Sequence, residues 1–172
     1  MSHIDLQEQK HTNALVLENL LDNRNSVALM PPREKTSSSD AQLLLAMVTK
    51  MEIQVILDVG AQILELSNRD IAKEWLEMTS EIKEKQAVVF FNDDDELSVL
   101  DRKGNIEPLQ TSSFAKQLDL CLVFLDEAHT RGTDLKLPEY YRAAVTLGPN
   151  LTKDRLVQGK SFTIIVMLAT NV

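Results

Sequence analysis

The sequence predicts an α/β domain in which a mostly parallel sheet is flanked by helices. The first observation behind this is a set of four short apolar, β-branched runs: "IQVILDVGA", "QAVVFF", "CLVFLDE" and "AAVTLG". They lack the polar alternation of a half-solvated strand, and strands buried on both faces, as in parallel sheets, read this way. The second is that helical patterns separate several of these runs, as crossover connections require. At 172 residues the chain has room for one such domain and little else.

In order, Leu15, Leu17, Leu20 and Leu21 recur near a 3.6 period, so the first 30 residues read as a helix that ends in the turn formers of "LLDNRNS". "MPPREKTSSSD" is a polar linker, and Asp40 is placed to cap the apolar helix "AQLLLAMVTKM". After the strand run ending at Gly60, "SNRDIAKEWLEMTSEIKEK" predicts a helix. Ser67 or Asn68 would cap it, with Ile71, Trp75 and Met78 on its buried face. "QAVVFF" stops at "NDDDE", and "LSVLDRKGNIEPLQ" predicts a hairpin turning at "DRKGN". "TSSFAKQLDL" suits a short capped helix before the third strand run. The chain thus divides into an N-terminal helix and linker (1–40), an α/β domain (41–158) and an apolar tail (159–172).

The formal net charge is −8. That argues against a sequence-independent grip on nucleic acid, which needs Lys and Arg to displace counterions from phosphate. One cysteine, Cys121, excludes an internal disulfide framework and a multi-cysteine zinc site. The N-terminal residues lack the basic and apolar regions of a signal peptide, and no run reaches the roughly 18 to 20 apolar residues of a spanning helix. The expectation is a protein without a membrane partner, cytoplasmic or nuclear and not secreted.

"CLVFLDEAHTRGTDLKLP" carries the chemistry. A buried strand that delivers Asp126 and Glu127 at its carboxyl end puts two carboxylates where open α/β sheets bind ligands. In a nucleotide hydrolase the first would hold Mg²⁺ and the second would orient water. The partner motif is missing, however. "GKS" at Gly159–Ser161 is preceded five positions earlier by Asp154 instead of the glycine a phosphate loop needs. No cofactor is evident for this chain alone, and Mg-ATP would bind only within a longer parent. Asp93, Asp94, Asp95 and Glu96 read as a solvated turn, and no metal site is expected. Cys121 and His129 are the candidates for thiol catalysis. An extended strand would hold them roughly 15–25 Å apart, so Cys121 reads first as a small core residue.

"VILDVGAQILELSN", "KQAVVFFNDDDELSVLDR", "LQTSSFAKQLDLCLVFLDEAHTRGTDLKLP" and "YRAAVTLGPNLTKDRLVQ" resemble a family of very large fungal proteins commonly named ubiquitinyl hydrolases. The resemblance spans about residues 15 to 158. It implies a thiol-dependent deubiquitinase as the parent, with ubiquitin or ubiquitinated proteins as partners alongside the rest of that parent. "RGTDLKL" also resembles the second-lobe loop of helicase-type motors, the bacterial preprotein-translocase ATPase above all. This likeness implies a RecA-like second lobe, with "AVVFF" as its opening strand and "AVTLG…DRLVQ" leading to its arginine-finger helix. By position, Gly132 and Asp134 would lie beside nucleotide and the lobe interface, and Arg131 would aid coupling. Asp-Glu-Ala-His would then be a coincidence. The fungal likeness ends at Gln158, so "GKSFTIIVMLATNV" is expected to be foreign to the family, with the form of translated intron. Its apolar residues would pair at a sheet edge or promote aggregation.

Overall fold

A computed structural model describes residues 26–29, 38–63, 65–130, 133–147 and 163–168. Eight strands form one sheet: β1 (Ser26–Leu29), β2 (Val55–Leu57), β3 (Ala87–Phe91), β4 (Leu97–Asp101), β5 (Ile106–Pro108), β6 (Cys121–Leu125), β7 (Arg142–Leu147) and β8 (Thr163–Leu168). Their spatial order is β1-β8-β7-β2-β6-β3-β4-β5. All neighbours are parallel except the pairs β3–β4 and β4–β5. The helices among the described residues are α1 (Asp40–Lys50) and α2 (Asn68–Met78). The chain is therefore a mixed α/β fold on a mostly parallel eight-stranded sheet.

The four apolar runs fall on β2, β3, β6 and β7, the centre of the sheet. Successive strand residues face opposite ways, and both faces are filled. Ile56, Val88, Phe90, Leu122, Phe124 and Ala144 pack against Leu44, Leu45 and Val48 of α1 and Ile71, Trp75 and Leu76 of α2. Val55, Ala87, Val89, Cys121, Val123 and Ala143 lie on the other face beneath Leu109, Phe114, Leu118, Leu135 and Leu137. Helices cover one face, and irregular chain covers the other.

Several local expectations change. Ser39, not Asp40, caps α1: its Oγ accepts from Gln42 N at 3.2 Å while Gln42 Oε1 accepts from Ser39 N at 3.4 Å. The Ser-x-x-Gln spacing makes that reciprocal pair. Ser67 caps α2 through Asp70 N at 3.1 Å. The buried stripe of α2 runs through Ile71, Ala72, Trp75 and Leu76 on to Thr79, which leaves Met78 exposed. Residues 109–120 form three 3-10 turns in place of a helix. The hairpin is as expected, with Gly104 at φ +87° in its turn, a conformation glycine adopts without strain. The N-terminal leucines lie outside the described residues, but Ser26–Leu29, read as the end of the N-terminal helical stretch and its turn, is a strand parallel to β8. Tail residues Thr163–Leu168 lie between β7 and β1 and not at an edge, with Ile165 and Met167 fully buried.

α2 stops where its last carbonyls meet Arg102, on the turn after β4. That guanidinium donates to Leu76 O at 3.0 Å, Thr79 O at 2.9 Å and Lys85 O at 2.8 Å. It satisfies carbonyls a helix end leaves without partners and opposes the helix dipole. Because Arg102 is partly solvated, Arg102→Ala is expected to lower unfolding free energy by about 1–2 kcal/mol in urea. Arg102→Lys, with one point charge for the fork, should recover less than half.

Candidate functional site

The carboxyl ends of β2, β6, β3 and β7 lie at one edge of the sheet because these strands are parallel. Adjacent strands β2 and β6 send their chains to opposite faces. Residues after Leu57 lead to α2, while residues after Leu125 pass beneath the other face, with Leu135 and Leu137 against it. Open α/β sheets form their ligand crevice where neighbouring strands part in this way.

Asp58 fixes one wall. Only 3% exposed, its carboxylate accepts from Gln62 N at 2.9 Å, Ile63 N at 3.1 Å and Thr146 Oγ1 at 2.5 Å. Gly60 N reaches Thr146 O at 3.1 Å, so the loop after β2 is tied down onto β7. Buried carboxylates persist only when hydrogen-bonded this fully.

Asp126 organises the other wall. Its Oδ1 accepts from His129 N at 3.0 Å and lies 2.7 Å from His129 Nδ1. Its Oδ2 accepts a short hydrogen bond from Asn68 Nδ2, and the same amide group donates to Phe91 O at 2.9 Å. The first residue of α2 therefore clasps the ends of β3 and β6. His129 stacks on Phe91 with ring centroids 3.9 Å apart and planes 9° from parallel. Its Nε2 lies 3.0 Å from Asp95 Oδ1. Asp95 takes φ +57° in a turn that Asn92 Oδ1 holds by accepting from Asp94 N and Glu96 N, each at 2.9 Å. An imidazole nitrogen that carries hydrogen can donate to the carboxylate beside it.

Both oxygens of Asp126 take N–H donors from the chain itself, Asn68 on one and His129 on the other. Glu127 lies exposed on the 3-10 turn Glu127–His129. Arg131 and Gly132 fall outside the described residues. Asp134 lies on the face opposite the helices, beside Leu135 and Lys136 in a groove. Cys121 begins β6 and His129 follows its far end, so the two are held apart. The sequence pointed to Asp126 and His129 but gave no sign that Asn68 and Asp95 complete their network. Asp58 was legible in principle, since "VILDVG" repeats the apolar-run-then-Asp form of "CLVFLDE".

Cys121 belongs to a different cluster, at the amino ends of the strands. It is fully buried, and burial pushes its thiol up to about 12, with Lys85 only partly opposing. Lys85 Nζ donates to Asp119 O at 2.6 Å and Tyr141 Oη at 2.9 Å. The Tyr141 hydroxyl sits 2.8 Å from the carbonyls of Leu118, Asp119 and Cys121. Burial raises the Tyr141 phenol and lowers the Lys85 amine.

No family profile, curated protein or solved structure matches this chain.

Cys121 is expected to resist iodoacetamide at pH 8 in the folded chain, because only ~1 in 10⁴ thiols would be ionised. Rapid labelling without unfolding would contradict this. A thiol whose folded value lies above its unfolded one contributes stability at lower pH and loses it as pH rises from 9.0 toward about 12. Tyr141 acts in the same sense, whereas Lys85, lowered on folding, acts in the opposite one. Cys121→Ala should flatten the alkaline fall in urea midpoint. For the other cluster, Asn68→Ala should cost about 1–2 kcal/mol in urea by freeing Asp126 Oδ2 and Phe91 O.

Proposed function

We propose that this chain is a degenerate second lobe of a helicase- or translocase-type motor. It would contact nucleotide at its carboxyl edge alongside a first lobe and would not hydrolyse nucleotide itself. The observation that carries this is the path of residues 126–130 and 133–141. They leave the carboxyl end of β6, pass under β2 and enter β7, so the described residues on either side of Arg131 and Gly132 bracket the crevice beside the Asp58 loop. The engagement of both Asp126 oxygens by Asn68 and His129 supports an interface role over metal binding. Arg131, Gly132 and Asp134 would supply the nucleotide and lobe contacts. Thiol-dependent hydrolysis of ubiquitin conjugates, which the fungal likeness implies, would then fall to other parts of a longer protein, because Cys121 is sealed from solvent and from His129.

An NMR titration of the ¹⁵N-labelled chain with ATP tests this. Weak binding with Kd of about 1 mM or above is expected, with shifts confined to Asn68 and the loop Asp126–Asp134. Shifts elsewhere, none at ten times that concentration, or measurable ATP turnover would refute it. A ubiquitin C-terminal fluorogenic amide should not be cleaved; cleavage abolished by Cys121→Ser would restore the thiol mechanism to this segment.

A further inference from the structure

The sheet face opposite the helices is covered by two irregular segments, the 3-10 turns of residues 109–120 and the connection Thr133–Pro138, and a groove runs between them. Its wider part, about 610 Å³, is lined by Leu97, Leu109 and Leu118 on one side and by Asp134, Leu135 and Lys136 on the other. A part of about 300 Å³ continues past Lys116 and Leu137 and shares Ala115, Leu118 and Lys136 with the first. Burial alternates along the connection as in a strand. Asp134 and Lys136 are exposed, while Leu135 and Leu137 pack into the apolar cluster.

Neighbouring side chains of such a segment point opposite ways. Three in a row line one groove only where the backbone itself forms the wall. Among the described residues, the N–H groups of Asp134, Leu135 and Lys136 and the carbonyls of Asp134 and Lys136 have no hydrogen-bond partner, while Leu137 N bonds back to Leu135 O at 3.0 Å. Unpaired main chain beside an apolar trough is the arrangement that strand addition uses: backbone bonds give affinity, and the trough selects alternate side chains. The balance of charge also differs along the groove, with Glu96 and Asp134 against Lys136 at the wider part and Lys116 and Lys136 against Asp119 at the narrower.

We propose that this groove takes an extended peptide from another protein, paired in strand fashion with the backbone of Asp134–Lys136. Its alternate apolar side chains lie against Leu97, Leu109 and Leu118. A basic residue at one end faces Glu96 and Asp134, and an acidic residue at the other faces Lys116 and Lys136. The inference is independent of any nucleotide.

The probes are two end-blocked fluorescent hexapeptides, Lys-Val-Thr-Val-Thr-Glu and the same residues in reverse order, titrated against the full 172-residue chain. One of the two should bind, and N-methylation of its alternate amides should weaken binding about tenfold or more. Lys136→Pro deletes an N–H that bonds to none of the described residues, so it should weaken binding about tenfold while leaving the urea midpoint in place. Lys136→Ala keeps the backbone and should cost no more than about fivefold. Should Lys136→Pro disturb the fold, the N-methylated peptides against the unaltered chain decide alone. Failure of both peptides to bind at millimolar concentration overturns the proposal, as does equal binding of the N-methylated forms.

Discussion

A parallel sheet must bury both faces, and among the described residues helices cover only one of them. Chain without regular structure has to seal the other, and its backbone groups cannot satisfy one another as those of a helix do. Much of the polar detail follows from that constraint. Tyr141 gathers the carbonyls of Leu118, Asp119 and Cys121 around one hydroxyl. Lys85 adds the donors that a single O–H proton cannot supply. These two side chains do for residues 118–121 what a helical ladder does for α1 and α2. Among the described residues the connection Thr133–Pro138 has no such pair, and part of its main chain lies unpaired along a groove.

The same asymmetry shapes the carboxyl edge. With α2 on one face, the link from β6 to β7 passes on the other, and the loops after β2 and β6 part at adjacent strands. Each loop is anchored by an aspartate that turns inward to protein donors. Asp58 takes backbone amides and Thr146, and Asp126 takes Asn68 and His129. The edge is organised by its own hydrogen bonds, the preorganisation that lowers the cost of binding at any site.

The apolar runs made the central strands legible because strands buried on both sides leave an unbroken signal. Helix starts were legible to within a residue or two where Ser39 and Ser67 sit at capping spacing, whereas α2 ends at Met78, short of the "TSEIKEK" read into it. Ser26–Leu29 was not, because four residues carry no period and parallel pairing with β8 is a long-range event. Residues 109–120 misled through composition. The serines that suit a cap also favour repeated 3-10 turns, and the contact that fixes those turns comes from Tyr141 beyond β6. At the site, Asp126 and His129 announced themselves by sequence. Asn68 looked like a helix cap and Asp95 like one acid in a solvated turn, and only the fold brings them to one network. No helix among the described residues is long and apolar enough to cross a membrane.

The ¹H–¹⁵N spectrum of the His129 imidazole, recorded with and without Mg²⁺, tests the organisation of this edge most directly. If Asp126 is committed to Asn68 and His129, the Nδ1–H resonance will be slow to exchange and shifted as for a bond to carboxylate, and Mg²⁺ will leave it unmoved. A freely exchanging ring, or an Nδ1–H signal that Mg²⁺ displaces, would show Asp126 available to a cation and would contradict the account.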